Sequence, residues 1–251
     1  MGAVVEIKNV RIGEGVPKIC VPITAGTKAE ILSSVLELKG HPFDLIEWRA
    51  DFFENLGDPK QVREILEMFR ENLGDVPVIF TLRTKAEGGH IRMDAEEYLQ
   101  VNAQAIDTGL VDLVDVEIFR GDDIAFMLVE AAHEKNVKVI ASNHDFEKTP
   151  KKEELLSRLC KMQEMEADVA KIAVMPKSER DVLVLLDATL AMKELHQNTP
   201  VVTMAMGKLG LVSRLTGQIF GSAITFGTVG AASAPGQIPA EGLREILDVF
   251  A

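Results

Sequence analysis

Asp168-Val169-Ala170-Lys171-Ile172-Ala173-Val174-Met175 is an apolar run interrupted by one lysine, with a helical pattern before it and Pro176 after it. Its short length and β-branched content read as a buried strand. The same unit recurs along the chain. Runs rich in Val, Ile and Leu fall near residues 19–24, 45–49, 78–83, 113–117, 137–142, 169–174, 201–206 and 223–228. Amphipathic patterns follow them near 28–38, 59–72, 95–108, 124–135, 151–165, 179–195, 210–220 and 240–250. Near-continuous apolar strands alternating with helices indicate a parallel sheet covered by helices. The repetition predicts an α/β fold, a single closed (β/α)8 TIM barrel over residues 1–251. A doubly wound open sheet competes with it, but no G-x-G-x-x-G follows the first strand. Residues 4–12 carry apolar side chains at intervals of two, which predicts a short β-ribbon closing the barrel floor.

Composition narrows the function. Hydrophobic residues make up 47% and charged residues 26%, ordinary for a globular chain with a substantial core. A formal net charge of −12 argues against a nucleic-acid partner and repels anions at long range. An anionic substrate therefore needs arginines gathered at its site. Cys20 and Cys160 are the only cysteines, which fits reduced thiols better than a disulfide framework. No apolar signal core lies near the start, so a cytoplasmic location is expected. The charge-free stretch 215–240 is long enough to span a bilayer. Its glycines, prolines and polar residues fit a strand flanked by loops instead, so no membrane partner is expected.

If the fold is a barrel, chemistry belongs at the carboxyl ends of the strands, and polar residues collect there. The second strand ends Glu47-Trp48-Arg49, and the third ends Thr81-Leu82-Arg83 and leads to Glu87. The fifth delivers Ser142-Asn143-His144-Asp145, and the sixth carries Lys171. Burial disfavours an ammonium, so this lysine should have a lowered pKa or be well paired; a neutral amine can attack a ketone. The competing reading is a lysine whose head snorkels to water. His144 is the candidate for proton transfer, one strand away from Lys171, and Glu87 could hold its tautomer. Arg49, Arg83 and Arg214 offer planar forks for a carboxylate or vicinal hydroxyls. Glu47 and Arg49 share a strand face, so a structural ion pair is the alternative there. The five histidines lack H-E-x-x-H spacing and cysteine partners, and no motif marks a metal or an organic cofactor; none is expected.

Taken together, Glu47-Trp48-Arg49-x-Asp51, Ser142-Asn143-His144-Asp145-Phe146, Lys171-Ile172-Ala173, Ser213-Arg214-Leu215 and Ala234-Pro235-Gly236-Gln237 resemble the type I 3-dehydroquinate dehydratases, Schiff-base enzymes of the shikimate pathway and thus of aromatic amino acid biosynthesis. The resemblance runs from the Glu14-Gly15 region to Gln237 and beyond. It implies a barrel lyase, usually a homodimer, that dehydrates 3-dehydroquinate to 3-dehydroshikimate without metal or cofactor. On that resemblance Lys171 forms the imine, His144 is the general acid and base, and Glu87 tunes it. Arg214 would clamp the substrate carboxylate, with Ser233 and Gln237 closing from the last loop, and Glu47, Arg49 and Arg83 would hold the ring hydroxyls. Some relatives carry a first-strand serine near the substrate where this chain has Pro22, with Thr24 close by. Another Schiff-base barrel lyase, of the class I aldolase type, is the alternative function. It would call for a phosphate site in the last loops.

Overall fold

A computed structural model describes residues 2–230 and 236–251 of the chain. After an antiparallel ribbon of β1 (Val5–Ile7) and β2 (Val10–Ile12) come eight parallel barrel strands. They are β3 (Lys18–Ile23), β4 (Leu45–Arg49), β5 (Val78–Thr81), β6 (Leu113–Glu117), β7 (Lys138–Asp145), β8 (Val169–Val174), β9 (Val201–Ala205) and β10 (Ile224–Thr228). A ninth, short strand, β11 (Ile238–Pro239), pairs with β10 beside the barrel. Each strand pairs with its sequence neighbour from β3 to β9, and β10 pairs with β3. The cylinder closes where Ala223 donates its N–H to the Val201 carbonyl at 2.8 Å, beside a parallel bridge between Val201 and Ser222. The expected (β/α)8 barrel with its ribbon is the observed fold.

The outer ring consists of α1 (Lys28–Glu37), α2 (Pro59–Leu73), α3 (Ala95–Asp107), α4 (Asp122–Glu134), α5 (Lys152–Glu164), α6 (Glu179–Leu195), the short α7 (Leu211–Leu215) and α8 (Gly217–Phe220), and α9 (Ala240–Val249). Their starts are written into the chain. Thr27 with Glu30, Asp94 with Glu97, and Ser178 with Asp181 form reciprocal capping boxes, and Asp58-Pro59 caps α2. The helices bury their apolar faces on outward-facing strand residues such as Val21, Ile46, Trp48, Phe80, Val114 and Ile172.

Inside the cylinder the period of two sorts the side chains into layers. The lowest layer is apolar: Cys20, Leu45, Ile79, Leu113, Ile140, Val169, Val202 and Ile224 pack with Val5, Ile7, Val10 and Ile12 of the ribbon. Two residues further along the strands stand Glu47, Thr81, Asp115, Ser142, Lys171, Met204 and Phe226, and two further again come Arg49, Arg83, Glu117, His144, Ala173 and Met206. The floor is thus apolar, and the layers above it toward the strand ends are mostly polar or sulfur-bearing, with Phe226 and Ala173 as the apolar exceptions.

Three boundaries differ from expectation. β7 runs on to Asp145, because His144 and Asp145 pair with Ala173 and Val174 of β8. That puts His144 on the rigid strand. β5 stops at Thr81, so Arg83 stands in the connection that follows. The single helix expected over 210–220 is instead a 3-10 turn (Lys208–Gly210), α7 and α8. Ser213 Oγ donates to the Gly210 carbonyl at 2.7 Å and accepts from Ala205 N–H at 2.9 Å, fixing the first turn on β9. The neutral stretch 215–240 contains β10, and among the described residues no helix is long and apolar enough to cross a membrane.

The ribbon's role can be tested. Ile12 is fully buried in the lowest layer, so Ile12→Ala should lower the unfolding free energy by about 2–5 kcal/mol, measured by denaturant titration. A change within the noise of a surface substitution would show that the ribbon is not part of the core.

Candidate active site

Lys171 is 4% exposed and points into the barrel from β8. Its Nζ lies 3.0 Å from Asp115 Oδ2 and 3.3 Å from Glu47 Oε1. It also sits 4.6 Å from the Phe226 ring centroid, over the face of that ring. Burial alone would lower the pKa of this amine, but Asp115 and Glu47 outweigh it, and the ammonium is held above its ordinary value. Of the two outcomes expected of a buried lysine, a lowered pKa or good pairing, the structure has the second. Pairing decides, and the resting group is an ammonium.

The carboxylates are themselves organised by Arg83. Its Nη2 donates to Asp115 Oδ1 at 2.6 Å, and its Nη1 donates to Glu117 Oε1 and to Ser142 Oγ, each at 3.0 Å. Ser142 Oγ donates in turn to Asp115 Oδ1 at 2.6 Å. Despite burial, Arg83 and Lys171 keep the Asp115 carboxyl well below the usual carboxylate range. Thr84 donates to both oxygens of Glu117, from its backbone N–H at 2.8 Å and its hydroxyl at 2.7 Å. Cys20, below this layer, is a free thiol pushed well up by burial.

His144 meets Glu87 twice: Nδ1 lies 2.9 Å from Glu87 Oε2, and the backbone N–H donates to the same oxygen at 2.9 Å. The other carboxylate oxygen accepts from Asn143 Nδ2 at 3.1 Å, and Asn143 Oδ1 accepts from Arg158 Nη1 at 2.7 Å. A chain of contacts thus runs from α5 to the imidazole. Burial first, then the cations of Arg83 and Lys171, hold His144 well below its ordinary pKa. Burial, with Glu117 and Asp115, raises Glu87 to about 7 against the pull of Arg83. Near neutral pH the imidazole is uncharged. With Glu87 ionised, the ring proton resides on Nδ1 and Nε2 keeps its lone pair.

Lys171 and His144 line one cavity of about 190 Å³, together with Glu47, Arg49, Arg83 and Glu87. Arg214, Gln237, Phe146, Met204, Met206 and Phe226 also stand on its wall. Arg49 does not pair with Glu47. It forms a bidentate pair with Asp51, with both N···O distances at 2.8 Å, and packs over Phe52. Asp51 also accepts the His90 N–H at 3.0 Å, tying this arginine to the loop that carries Glu87. Arg214, on α7, is drawn down to about 10 by burial and places Nη1 3.7 Å from Met204 Sδ. Gly88 has a left-handed φ of 80°, and a Cβ there would stand 2.2 Å from the Phe146 ring, so only glycine lets that ring pack against residue 88. Ser233 lies outside the described residues. Pro22 and Thr24 are not among the lining residues.

The expected residues other than Ser233 therefore converge. Asp115 was not singled out from sequence, nor was Asn143 given a role. Leu113-Val114-Asp115-Val116-Glu117 carried the same signal as the lysine strand, a charge at an inward position of an apolar run. Among the described residues, no group of three or more His, Cys, Asp or Glu side chains is arranged to hold a metal ion. The site offers an amine, a neutral imidazole backed by a carboxyl, and three arginines. That equipment suits carbonyl chemistry on an anion. A larger cavity of about 390 Å³ opens at the other end of the barrel, around Lys193, His196 and Gln218. Lys193 there is spent on the Gln218 and Ile219 carbonyls, and no comparable set of groups converges.

Comparison with known proteins agrees. The family model for type I 3-dehydroquinase matches residues 19–251. The chain is 51% identical to the 3-dehydroquinate dehydratase of Clostridioides difficile, over 98% of this chain and 96% of that protein. It is 50% identical to that of Clostridium botulinum, over 100% of this chain and 98% of the relative. The crystal structure of the C. difficile type I enzyme, determined with covalently modified comenic acid, superposes with a TM-score of 0.97 at 51% identity, covering 100% of this chain and 98% of that one. The Enterococcus faecalis 3-dehydroquinate dehydratase structure gives 0.92 at 42% identity, covering 98% and 99%.

The depressed His144 pKa has a visible consequence. The folded site refuses a proton that a free histidine accepts near pH 6.5, so the ring should stay neutral as pH falls through that value. Ring-nitrogen NMR on the folded protein would follow this. A resonance titrating at the ordinary histidine pKa would contradict the assigned electrostatics.

Proposed function

The chain belongs to the type I 3-dehydroquinase family, and on that premise we propose that it dehydrates 3-dehydroquinate to 3-dehydroshikimate through an imine on Lys171, with His144 moving the proton. The carrying observation is the buried, paired amine of Lys171 opening on the same small cavity as a neutral imidazole.

In this reading the resting ammonium passes one proton to a neighbouring base, and the freed amine adds to the substrate ketone. The proton returns on the oxygen that leaves as water. The resulting iminium draws electrons from the adjacent carbon and acidifies its C–H. His144, uncharged, removes that proton, and the enamine formed expels the ring hydroxyl, which takes the proton back from the imidazolium as it departs. Water then hydrolyses the conjugated iminium and releases Lys171. Glu87 fixes the imidazole through Nδ1 and favours its transient positive charge. The family reading requires no metal or organic cofactor.

Substrate recognition follows from charge. A chain of net charge −12 repels an anion, and Arg49, Arg83 and Arg214 at the cavity reverse that locally. Arg214, a buried cation on the cavity wall, suits the carboxylate, with Gln237 on the same wall. Glu47, Arg49 and Arg83 suit the ring hydroxyls. Arg83 is held rigid there by its bonds to Asp115, Glu117 and Ser142. A single domain over residues 1–251, a homodimer and a cytoplasmic location belong to the same reading, supported by the family resemblance.

Borohydride added to the protein with 3-dehydroquinate should fix one substrate-sized adduct on Lys171, mapped by mass spectrometry. Lys171→Ala should give neither adduct nor turnover, and His144→Ala should slow turnover by about 10²–10⁴-fold or more. An active protein that is never trapped, or one trapped at another lysine, would refute the imine.

A further inference from the structure

The two carboxylates on Lys171 are not equivalent, and the imine reading above gives that difference a use. Asp115 approaches Nζ more closely, at 3.0 Å, and its other oxygen is clamped by Arg83 Nη2 and Ser142 Oγ, each at 2.6 Å. It is almost wholly buried and is not among the cavity-lining residues. Glu47 stands at 3.3 Å, shares that oxygen with the Thr81 hydroxyl at 3.0 Å, and does line the cavity. One acid is fixed behind the nitrogen. The other faces the substrate.

Imine formation changes what the nitrogen can donate. An ammonium offers three N–H groups. When the C–N bond forms and the carbonyl oxygen leaves as water with two of those hydrogens, the iminium keeps one N–H and the whole positive charge. One N–H cannot serve both acids. We infer that Asp115 is the fixed counter-ion of the Lys171 nitrogen in its ammonium and iminium forms alike, while Glu47 is the partner released to a substrate hydroxyl. Asp115 thereby acts through the lysine as a positioning residue. It keeps the nitrogen aimed and keeps the iminium cationic, which is the property that acidifies the neighbouring carbon.

The other groups facing the nitrogen do not offer the same service. From β5 and its connection come Thr81 and the Arg83 cation, from β7 Ser142 and the neutral His144, from β3 the neutral thiol of Cys20, and from β10 the Phe226 ring. β9 contributes Val202 and Met204, which carry no charge. Glu87 and Glu117 are engaged by His144, Asn143, Arg83 and Thr84, and Arg49 and Arg214 lie around the cavity.

The test measures how fast the borohydride-trapped Lys171 adduct accumulates across the neutral and alkaline range, beside steady-state kinetics, in wild type, Asp115→Asn and Glu47→Gln. Without its fixed counter-charge the ammonium deprotonates more easily, so the acid limb of adduct formation in Asp115→Asn should move down by about one pH unit or more. Its kcat should fall by about tenfold or more, with KM nearly unchanged, whereas Glu47→Gln should act mainly on KM. An Asp115→Asn profile superimposable on wild type, or a loss confined to KM, overturns the inference. Absence of any wild-type adduct at Lys171 would overturn the imine reading instead, so the two failures are distinct. If Asp115→Asn does not fold, Ser142→Ala decides. Losing that donor leaves Asp115 more basic and its grip tighter, so the acid limb should move to higher pH, and an unmoved or lowered limb counts against the assignment.

Discussion

A buried ammonium in a parallel barrel has to be neutralised where it stands, and the ion pairs of Lys171 with Asp115 and Glu47 do this. The rest of the site follows from that need. Two acids against one lysine leave negative charge in excess, and Arg83 supplies the balancing cation. Arg83 then binds Glu117, and Glu117 takes its remaining donors from Thr84. Desolvating such a cluster is costly, and an apolar core of equal volume would often be at least as stable. Its presence one layer above a hydrocarbon floor therefore points to chemistry rather than to stability. The same argument forbids half measures, because removing one partner strands its mate as an uncompensated charge.

The layering also explains why the amine and the imidazole are tuned in opposite directions. Lys171 sits among carboxylates and stays charged. His144, one strand over and one layer up, feels Arg83 and Lys171 as cations and stays neutral. Each would behave differently if their layers were exchanged. The fold sets this arrangement with no sequence motif larger than a residue at every second position of a strand.

Much of this was legible beforehand. The recurrence of short apolar runs between amphipathic segments led to the barrel, and a charge at an inward position led to Lys171. The strand ends were less legible. β7 runs three residues past its apolar stretch because β8 offers ladder partners, a property of the neighbour and not of β7 itself. Asp115 bears the same mark as Lys171, a charge at an inward position, but it stands in mid-strand, between apolar neighbours. The contact between Arg158 and Asn143 had no local signature at all, since it joins a helix to a strand across the top of the sheet. Likewise, nothing in residues 210–220 betrayed the split helix until Ser213 was seen to be tied to β9.

The packed ribbon at the base has an implication for solvent. With Val5, Ile7, Val10 and Ile12 filling the lower bore, the cavity around Lys171 has hydrocarbon beneath it, and on the imine reading substrate would enter from the strand ends. On that reading, a water molecule made when carbonyl oxygen departs would have no rear vent through that hydrocarbon. It must squeeze past the bound ring or linger beside it. Lingering would spare an opening step, because on the imine reading cleavage of the final covalent adduct would consume one such molecule. The plug of aliphatic side chains would then act as a reservoir wall, keeping a reagent on hand between the first bond made and the last bond broken.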